Sequence, residues 1–180
     1  MALLAEELVE EWLNRHGYFT IRGVKLGVHE IDLLALRLYD GTPECRHIEV
    51  QASVNPVSYI TNVPREVPRS TGRASGSAKH RSDDELRLGI AEWIEKKFDH
   101  PPKAKLRSRL CDGRWTRELV VHKVKHEREL ELMQEAGILV RHLSDIVGEI
   151  KHAHGSVLEG ASGANLVDLV SMELTMPSDA

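Results

Sequence analysis

The feature that most constrains the fold is an apolar stretch followed by a tight turn and an alternating stretch. Residues 28–39 are apolar nearly throughout, as a central strand covered on both faces would be. Asp40-Gly41 then supplies a turn signal, and residues 46–52 alternate between apolar and polar side chains. We therefore expect an antiparallel hairpin within a sheet that helices cover on both sides.

The rest of the chain predicts helices and strands around this hairpin. Residues 2–16 have the apolar spacing of an amphipathic helix, with a row of glutamates on the other side and Gly17 as its stop. The further elements are a strand at 18–26, a helix from Ser82 or Asp83 to 98 that ends before Pro101-Pro102, a strand at 117–124, a helix at 127–136, a strand at 138–142 and a helix that ends at Lys151. The order predicts an α/β fold, a three-layer sandwich around a central mixed β-sheet.

The elements divide the chain into a core and an extension. Residues 1–154 are expected to form one core domain, interrupted at about 53–83 by a basic insertion without sustained periodicity. Residues 155–180 are expected to be a C-terminal extension with a short apolar helix and a flexible end. We expect the insertion to be either a binding element or a solvated loop.

Bulk composition excludes several classes of protein. The 180 residues suffice for one compact domain, and no apolar run is long enough to cross a bilayer. Cys45 and Cys111 are too few for a disulfide scaffold or a cysteine-rich zinc site. The N-terminus is acidic and does not resemble a secretory signal. We expect a cytoplasmic protein without a membrane partner.

The net charge of −4 hides an uneven distribution. Residues 53–82 and residues 99–117 each carry an excess of four positive charges, so the remainder of the chain is strongly acidic. Basic segments on an acidic body are compatible with binding to phosphates. They are equally compatible with solvated loops.

The hairpin brings polar side chains together at the middle of an apolar sheet. With a turn centred near residues 41–42, Asp32 is expected to lie opposite position 50 or 51, beside Glu49 and Gln51. Burying two adjacent carboxylates is costly without a partner, and Mg²⁺ or Mn²⁺ prefers oxygen ligands. The alternative is that Asp32 pairs with Arg22 or Arg46 while Glu49 and Gln51 face water.

Several short segments together resemble the PD-(D/E)xK nuclease superfamily, in its restriction-endonuclease-like and resolvase-like branches. The resemblance covers about residues 1–52 and is carried by Ala5-Glu6-Glu7, Trp12-Leu13, Gly17-Tyr18, Glu30-Ile31-Asp32-Leu33-Leu34 and Ile48-Glu49-Val50-Gln51. The resemblance implies a restriction-endonuclease-like core of the order αβββαβ.

The resemblance also implies a role for individual residues. Asp32 would be the metal-binding aspartate, Glu49 the acidic residue of the motif, and the backbone carbonyl of Val50 a further metal ligand. Glu6 would be the first-helix glutamate of the site, with Glu10 as the alternative, although a solvated helix face is also open. Replacing Asp32 or Glu49 by alanine is expected to abolish cleavage and to relieve repulsion between the carboxylates.

Gln51 departs from the family, which usually has lysine at this position. Glutamine can orient a water molecule but brings no positive charge, so catalytic competence depends on a cation from elsewhere. Lys79 of the insertion is one candidate. His47 lies on the same strand face, and we interpret it as a partly exposed surface histidine.

The function that these features imply is metal-dependent hydrolysis of phosphodiester bonds, most readily in DNA, with Mg²⁺ or Mn²⁺ as cofactor. The insertion would bind nucleic acid through its basic side chains, which are Arg65, Arg69, Arg73, Lys79 and Arg81. A homodimer would supply one site for each strand of a duplex.

Two alternatives remain open. The first is a catalytically inactive nucleic-acid-binding or assembly protein on the same fold, which Gln51 favours. The second is an interaction module in which apolar residues of the C-terminal segment form a dimer seam, although packing against the core is the more usual role. These residues are Leu166, Val167, Leu169, Val170 and Met172.

Overall fold

A computed structural model describes residues 2–67, 72 and 74–173 of the chain. Its helices and strands follow the predicted order, with one addition. They are α1 (Ala2–Arg15), β1 (Phe19–Leu26), β2 (His29–Tyr39), β3 (Thr42–Gln51), α2 (Asp83–Ile94), a π-helical turn (Glu95–Asp99), α3 (Pro101–Leu110), β4 (Trp115–Val121), α4 (Glu127–Glu135), β5 (Leu139–His142), α5 (Leu143–Lys151) and α6 (Ala164–Glu173).

The five strands form one mixed sheet in the order β1-β2-β3-β4-β5. The first three strands are antiparallel, and β4 and β5 continue parallel to β3. This confirms the predicted α/β class with a mixed sheet. The β2–β3 hairpin closes at Asp40-Gly41, where both residues have positive φ angles of 48° and 74°. Such a two-residue turn matches the twist of antiparallel strands.

The turn lies one residue earlier than predicted, and this changes the register. Leu33 is paired with Ile48, so that Asp32 lies level with Glu49 and not with position 50 or 51. Directly opposed residues of an antiparallel pair point to the same face. Asp32 and Glu49 therefore share a face.

Helices cover both faces of the sheet. On the first face, α1, α5 and α6 pack against alternate strand residues that include Leu33, Ile48 and Val120. On the second face, α2 and α4 pack against Leu119 and Val121. Because strand side chains alternate, Glu49 points to the second face, and we refer to the two sides as the α1 face and the α2 face.

Helix α3 was not predicted. Pro101-Pro102 was predicted to end a helical region, whereas these prolines occupy the first turn of a new ten-residue helix. Proline is favourable there because its missing N–H has no partner in the first helical turn in any case. The helix is strongly polar, which hides it from an apolar periodicity search.

The described parts of the insertion are fixed to the core by buried polar contacts. The fully buried Glu129 of α4 accepts hydrogen bonds from the backbone N–H of Ile60 and from both the N–H and the hydroxyl of Thr61. A single parallel bridge joins Val57 to Val124. The insertion is therefore anchored at its start and is not a loosely attached loop there.

The C-terminal extension packs onto α1. Glu11, expected on a solvated face, is buried and accepts hydrogen bonds from the backbone N–H of Ala161 and Gly163. Val167 of α6 joins the core on the α1 face. The expected flexible end, residues 174–180, lies outside the described residues. No helix within the described residues is long and apolar enough to span a bilayer.

Candidate functional site

Asp32 and Glu49 form the centre of the candidate site, on adjacent central strands. Asp32 is half-buried, and its Oδ2 accepts a hydrogen bond from the backbone N–H of Val50 at 2.8 Å. The regular β2–β3 pairing ends at Leu33 and Ile48. Just beyond this point, the Asp32 carboxylate accepts the hydrogen bond of a β3 backbone N–H. The expected convergence of these two residues is present.

The environment of Asp32 disfavours its charge. Burial, and then the neighbouring charge of Glu49, raise the pKa of Asp32 to about 6, although the Val50 hydrogen bond and Lys97 act in the opposite direction. Close carboxylates raise one another's pKa because the second charge is repelled by the first. A carboxyl group in this state gains from a nearby cation.

Glu49 is surrounded by donors. Its side chain is buried, and Lys97 Nζ donates to Oε2 at 2.5 Å. The ammonium group of Lys103 and the ring Nε2 of His47 both lie 3.2 Å from Oε1. Two lysines and a histidine therefore contact one carboxylate.

His47 is part of this network, and its interpretation as a surface histidine was wrong. The side chain is fully buried and lies edge-on to Phe98, with 4.7 Å between ring centroids. Arg107 Nη1 lies 2.8 Å from His47 Nδ1. Since a guanidinium only donates, Nδ1 accepts and Nε2 carries the proton towards Glu49. Burial lowers the pKa of His47 despite the opposing effect of Glu49, which keeps the ring neutral.

The π-helical turn and α3 position the cations. The backbone carbonyl of Lys97 accepts a hydrogen bond from Lys103 Nζ at 2.8 Å, and that of Phe98 accepts one from Arg107 at 2.7 Å. A π-helical turn frees carbonyl groups from the regular helical pattern and is frequent at functional sites. Here the turn carries Lys97 itself and holds the side chains of α3 over Glu49.

The residues of the cluster differ in how strongly their charged forms are stabilised. Burial acts to raise the pKa of Glu49, but the His47 hydrogen bond and the two lysines outweigh it, and the net shift is downward. For Lys97, Glu49 outweighs burial and raises the pKa. For Lys103, whose side chain is 1% exposed, burial outweighs the charge of Glu49 and lowers the pKa. The charged form of Lys97 is therefore stabilised, whereas the environment of Lys103 disfavours its charge.

Gln51 and Lys97 both line the same groove. Gln51 is exposed, and within the described residues the lysines that contact Glu49 are Lys97 and Lys103, not Lys79. Sequence reasoning missed both because they follow Glu49 by about fifty positions. A usable signal was the spacing of Lys103 and Arg107, four residues apart on one helix face after two prolines.

The first-helix glutamates have different surroundings. Glu6 is buried, and burial, followed by Glu30 and Glu49 against the opposing charge of Arg22, raises its pKa. Glu10 instead forms an ion pair with Arg22 at 2.9 Å. Glu6 is therefore the glutamate of α1 that senses the charge of Glu49. Arg22 does not pair with Asp32, and neither does Arg46, which pairs with Glu118.

Comparison with known proteins identifies no family for the chain. No family model matches the chain, and no curated protein is significantly similar to it. One solved structure is similar, the crystal structure of a protein of unknown function, AF1548, with a TM-score of 0.45 and 17% identity. The match covers 80% of this chain and 59% of the other, so the chain spans less than two thirds of the length of that protein.

The basic residues of the insertion fall into three groups. Arg81 is 3% exposed, donates to the carbonyls of Thr61 and Ser77, and stacks over Tyr59 at 4.1 Å. Its place is in the protein interior, not on a surface that faces phosphate. Arg65 and Lys79 are exposed, and Arg69 and Arg73 lie outside the described residues.

The donors available to a metal ion are Asp32, Glu49 and the adjacent backbone carbonyl of Val50. Within the described residues no group of three histidine, cysteine, aspartate or glutamate side chains is arranged to hold a metal ion. Mg²⁺ commonly binds one or two carboxylates and completes its shell with water and substrate phosphate. Asp32 and Glu49 therefore fit such an ion, on the condition that Lys97 moves away from Oε2 of Glu49.

Proposed function

We propose that this chain is a divalent-metal-dependent nuclease of the restriction-endonuclease-like type, acting on phosphodiester bonds, most readily of DNA. The observation that carries the proposal is the position of Lys97. It brings a charged ammonium group to Glu49, beside Asp32, whereas position 51 of the strand carries an uncharged glutamine. Two carboxylates and one partly exposed cation are the groups that such chemistry requires.

The fold supports the proposal through the place of the site. The order of α1, three antiparallel strands, α2 and the parallel strand β4 is the order expected of the αβββαβ core. Asp32 and Glu49 lie on its two central antiparallel strands and point to the face covered by α2 and α3. In this proposal Glu6 reaches the edge of the site from α1.

Each residue has a distinct part in the proposed reaction. Asp32, Glu49 and the carbonyl of Val50 would hold Mg²⁺ or Mn²⁺, which when bound polarises the phosphate and lowers the pKa of a coordinated water. Lys97, 33% exposed at the groove, would contact the phosphate or the attacking water. Gln51 would orient that water. Lys103 and His47 would hold Glu49 in place, because both are buried against it.

A catalytically inactive nucleic-acid-binding or assembly protein is the second candidate. The observation that favours it is that two lysines already neutralise Glu49 without any metal ion. A buried cluster of this kind could be kept for structural specificity alone. Metal binding separates the two candidates, since the cluster needs no metal to be satisfied.

The proposed cellular setting follows from the same chemistry. Nucleic acid, and DNA first, is the proposed partner, and the proposed compartment is the cytoplasm. We also propose a homodimer, which would present one site to each strand of a duplex. Measurement of the solution mass by light scattering tests the dimer independently of catalysis.

The experiment is cleavage of single-stranded, duplex and branched DNA and RNA with Mg²⁺ or Mn²⁺, against EDTA. We expect metal-dependent cleavage that falls on the order of a thousandfold in Glu49→Gln and Asp32→Asn. In Lys97→Met it should fall about a hundredfold. Glu131→Gln is the matched control, because Glu131 is an exposed carboxylate of α4 paired with Arg128.

Calorimetric titration with Mn²⁺ gives the second readout. Binding that disappears in Asp32→Asn but persists in Glu131→Gln supports the metal site. Intact substrates together with an absence of Mn²⁺ binding in the wild-type protein would refute the nuclease and favour the inactive binding protein.

A further inference from the structure

A groove extends from the candidate site between the insertion and α2. Gln51 and Lys97 form its end nearest the two carboxylates. Its walls include Asn62 and Arg65 from the insertion and Trp93 from α2. We call this cavity, of about 570 Å³, the insertion groove.

The two walls of the insertion groove are held at a fixed distance. At Gly89 of α2, the backbone carbonyl of Asn62 and the hydroxyl of Thr61 come so near that an added Cβ would lie 3.0 Å from each. The backbone N–H of Arg65 donates to Glu92 at 3.0 Å, and the Arg65 guanidinium lies 3.8 Å from the same carboxylate. The insertion therefore closes onto α2 and does not lie open beside it.

The lining combines cations with an aromatic ring. Lys96 and Lys97 belong to the π-helical turn after α2 and line the groove. Lys97 also contacts Glu49 of the candidate site. Trp93 is half-buried and held edge-on to Phe98, with 5.4 Å between centroids and 72° between planes. The negative charge of Glu92 is offset by Arg65. Cations along a groove with a fixed aromatic surface are typical of binding to unpaired nucleotides.

The volume of the insertion groove suits a short length of unpaired strand. A cavity of about 570 Å³ is of the order that encloses a ligand of about one or two nucleotides. An unpaired base can enter such a groove and stack on an aromatic ring, whereas the bases of a duplex are already stacked and paired with one another.

We propose that the insertion groove binds single-stranded nucleic acid and that the substrates of this protein are single strands or the unpaired arms of branched molecules. The proposal rests on the proposed function, since it supplies the substrate class for the same site. Phosphates would contact Lys96 and Lys97, and a base would stack on Trp93. The contacts do not involve the sugar, so DNA and RNA single strands share this chemistry.

The test is fluorescence anisotropy with a labelled 20-nucleotide DNA, the same DNA as a blunt duplex, and the corresponding RNA, all in EDTA at one salt concentration. We expect the wild-type protein to bind the single strands at least about tenfold more tightly than the duplex. Tighter binding of the DNA or of the RNA strand then identifies the preferred sugar. Equal or tighter binding of the duplex would overturn the proposal.

Variants locate the contact within the groove. Trp93→Leu should weaken single-strand binding about tenfold, while Trp93→Phe, which keeps an aromatic face, should retain most of it. Lys96→Glu should weaken binding of every single strand. Lys105→Glu is its matched control, because Lys105 is an exposed lysine of α3 outside the groove. Melting temperatures by circular dichroism establish that each variant is folded.

The outcomes also separate this proposal from the proposed function. Wild-type protein that cleaves duplex as fast as single strands in Mn²⁺ would refute the insertion groove and leave the nuclease intact. Protein that cleaves none of the single-stranded, duplex and branched substrates and binds no Mn²⁺, but binds single strands through Trp93, would refute the nuclease and support the groove. Unchanged binding in both Trp93→Leu and Lys96→Glu would refute the groove whichever substrate is cleaved.

Discussion

Strand β3 carries two buried ion clusters, one on each face of the sheet. On the α1 face, Arg46 donates to Glu118 through Nε and Nη2, and its guanidinium lies 4.8 and 5.1 Å from the ring centroids of Trp12 and Tyr18. One cation meets one anion in a planar, two-bonded geometry. Glu118 outweighs burial and raises the pKa of Arg46.

On the α2 face, three residues further along β3, the balance is different. Two lysines and a histidine meet Glu49, while Asp32 beside it has a pKa raised to about 6. The Arg46 pair stabilises both of its members. The Glu49 cluster stabilises Glu49 but leaves Asp32 and Lys103 in environments that disfavour their charges.

The difference distinguishes a structural ion pair from a candidate site on one strand. Both clusters are buried and both hold a glutamate, so neither burial nor residue type separates them. The pKa shifts separate the two clusters. Groups whose charged forms are disfavoured, such as Asp32 and Lys103, are those whose charge a ligand can stabilise. The Glu49 cluster also opens to a groove through Lys97, which is a third exposed.

The largest loss of stability should come from removing one member of the Arg46–Glu118 pair. Arg46→Met leaves Glu118 buried without its cation and should lower the free energy of unfolding by about 3–5 kcal/mol. The double variant Arg46→Met/Glu118→Leu should recover most of that loss. Guanidine denaturation measures both. A double variant that is no more stable than Arg46→Met would contradict the assignment of a self-contained pair.

The corresponding substitution of Glu49 tests the difference between the two clusters. Glu49→Leu removes the partner of Lys103, but a lysine can lose its proton and an arginine cannot. We expect a smaller loss, about 2–3 kcal/mol, that decreases at alkaline pH because burial lowers the pKa of Lys103. The expectation that removing either carboxylate relieves repulsion therefore applies to Asp32 alone. A loss that does not depend on pH would show that Lys103 stays charged.

Asp32 should make stability depend on pH in the opposite sense to a paired carboxylate. Its pKa of about 6 lies above the ordinary value of 3.8, so the folded protein binds more protons than the unfolded chain between these values. The free energy of unfolding contributed by Asp32 is therefore highest below pH 4 and is lost as the pH rises to about 6.5. Asp32→Asn should remove this decline, about 1–3 kcal/mol.

Urea denaturation of wild-type protein and Asp32→Asn at pH 5 and pH 8 measures the effect. The variant should be the more stable of the two at pH 8, and the difference should shrink at pH 5. Glu30→Gln is the control, since Glu30 is exposed. Parallel pH profiles of Asp32→Asn and wild type would contradict the raised pKa.

The smallest effect on stability should come from Lys97. Because its side chain is a third exposed, Lys97→Met should change the free energy of unfolding by less than about 1 kcal/mol. Lys97 is therefore expected to affect function far more than folding. A loss of stability as large as that of Arg46→Met would make the two clusters equivalent and remove the reason to treat Lys97 as a functional residue.

Local sequence patterns predicted most of the sheet and its helices. Apolar runs, a two-residue turn and the capping box at Ser82 act between near neighbours, so their consequences can be inferred from the chain alone. The hairpin register was misplaced by one to two residues because Asp40 accepts a positive φ angle, which moves the turn from 41–42 to 40–41. Helix α3 was missed because proline begins helices as well as ends them.

The sequence by itself determined that Asp32 and Glu49 meet on one hairpin, since alternation and turn length fix which strand residues share a face. Only the tertiary structure decided which cations meet them. Lys97, Lys103 and Arg107 reach β3 through the packing of α2, a π-helical turn and α3 on the sheet. Contacts of that separation depend on how whole elements pack, so that the spacing of Lys103 and Arg107 can indicate a shared helix face but not their partners on β3.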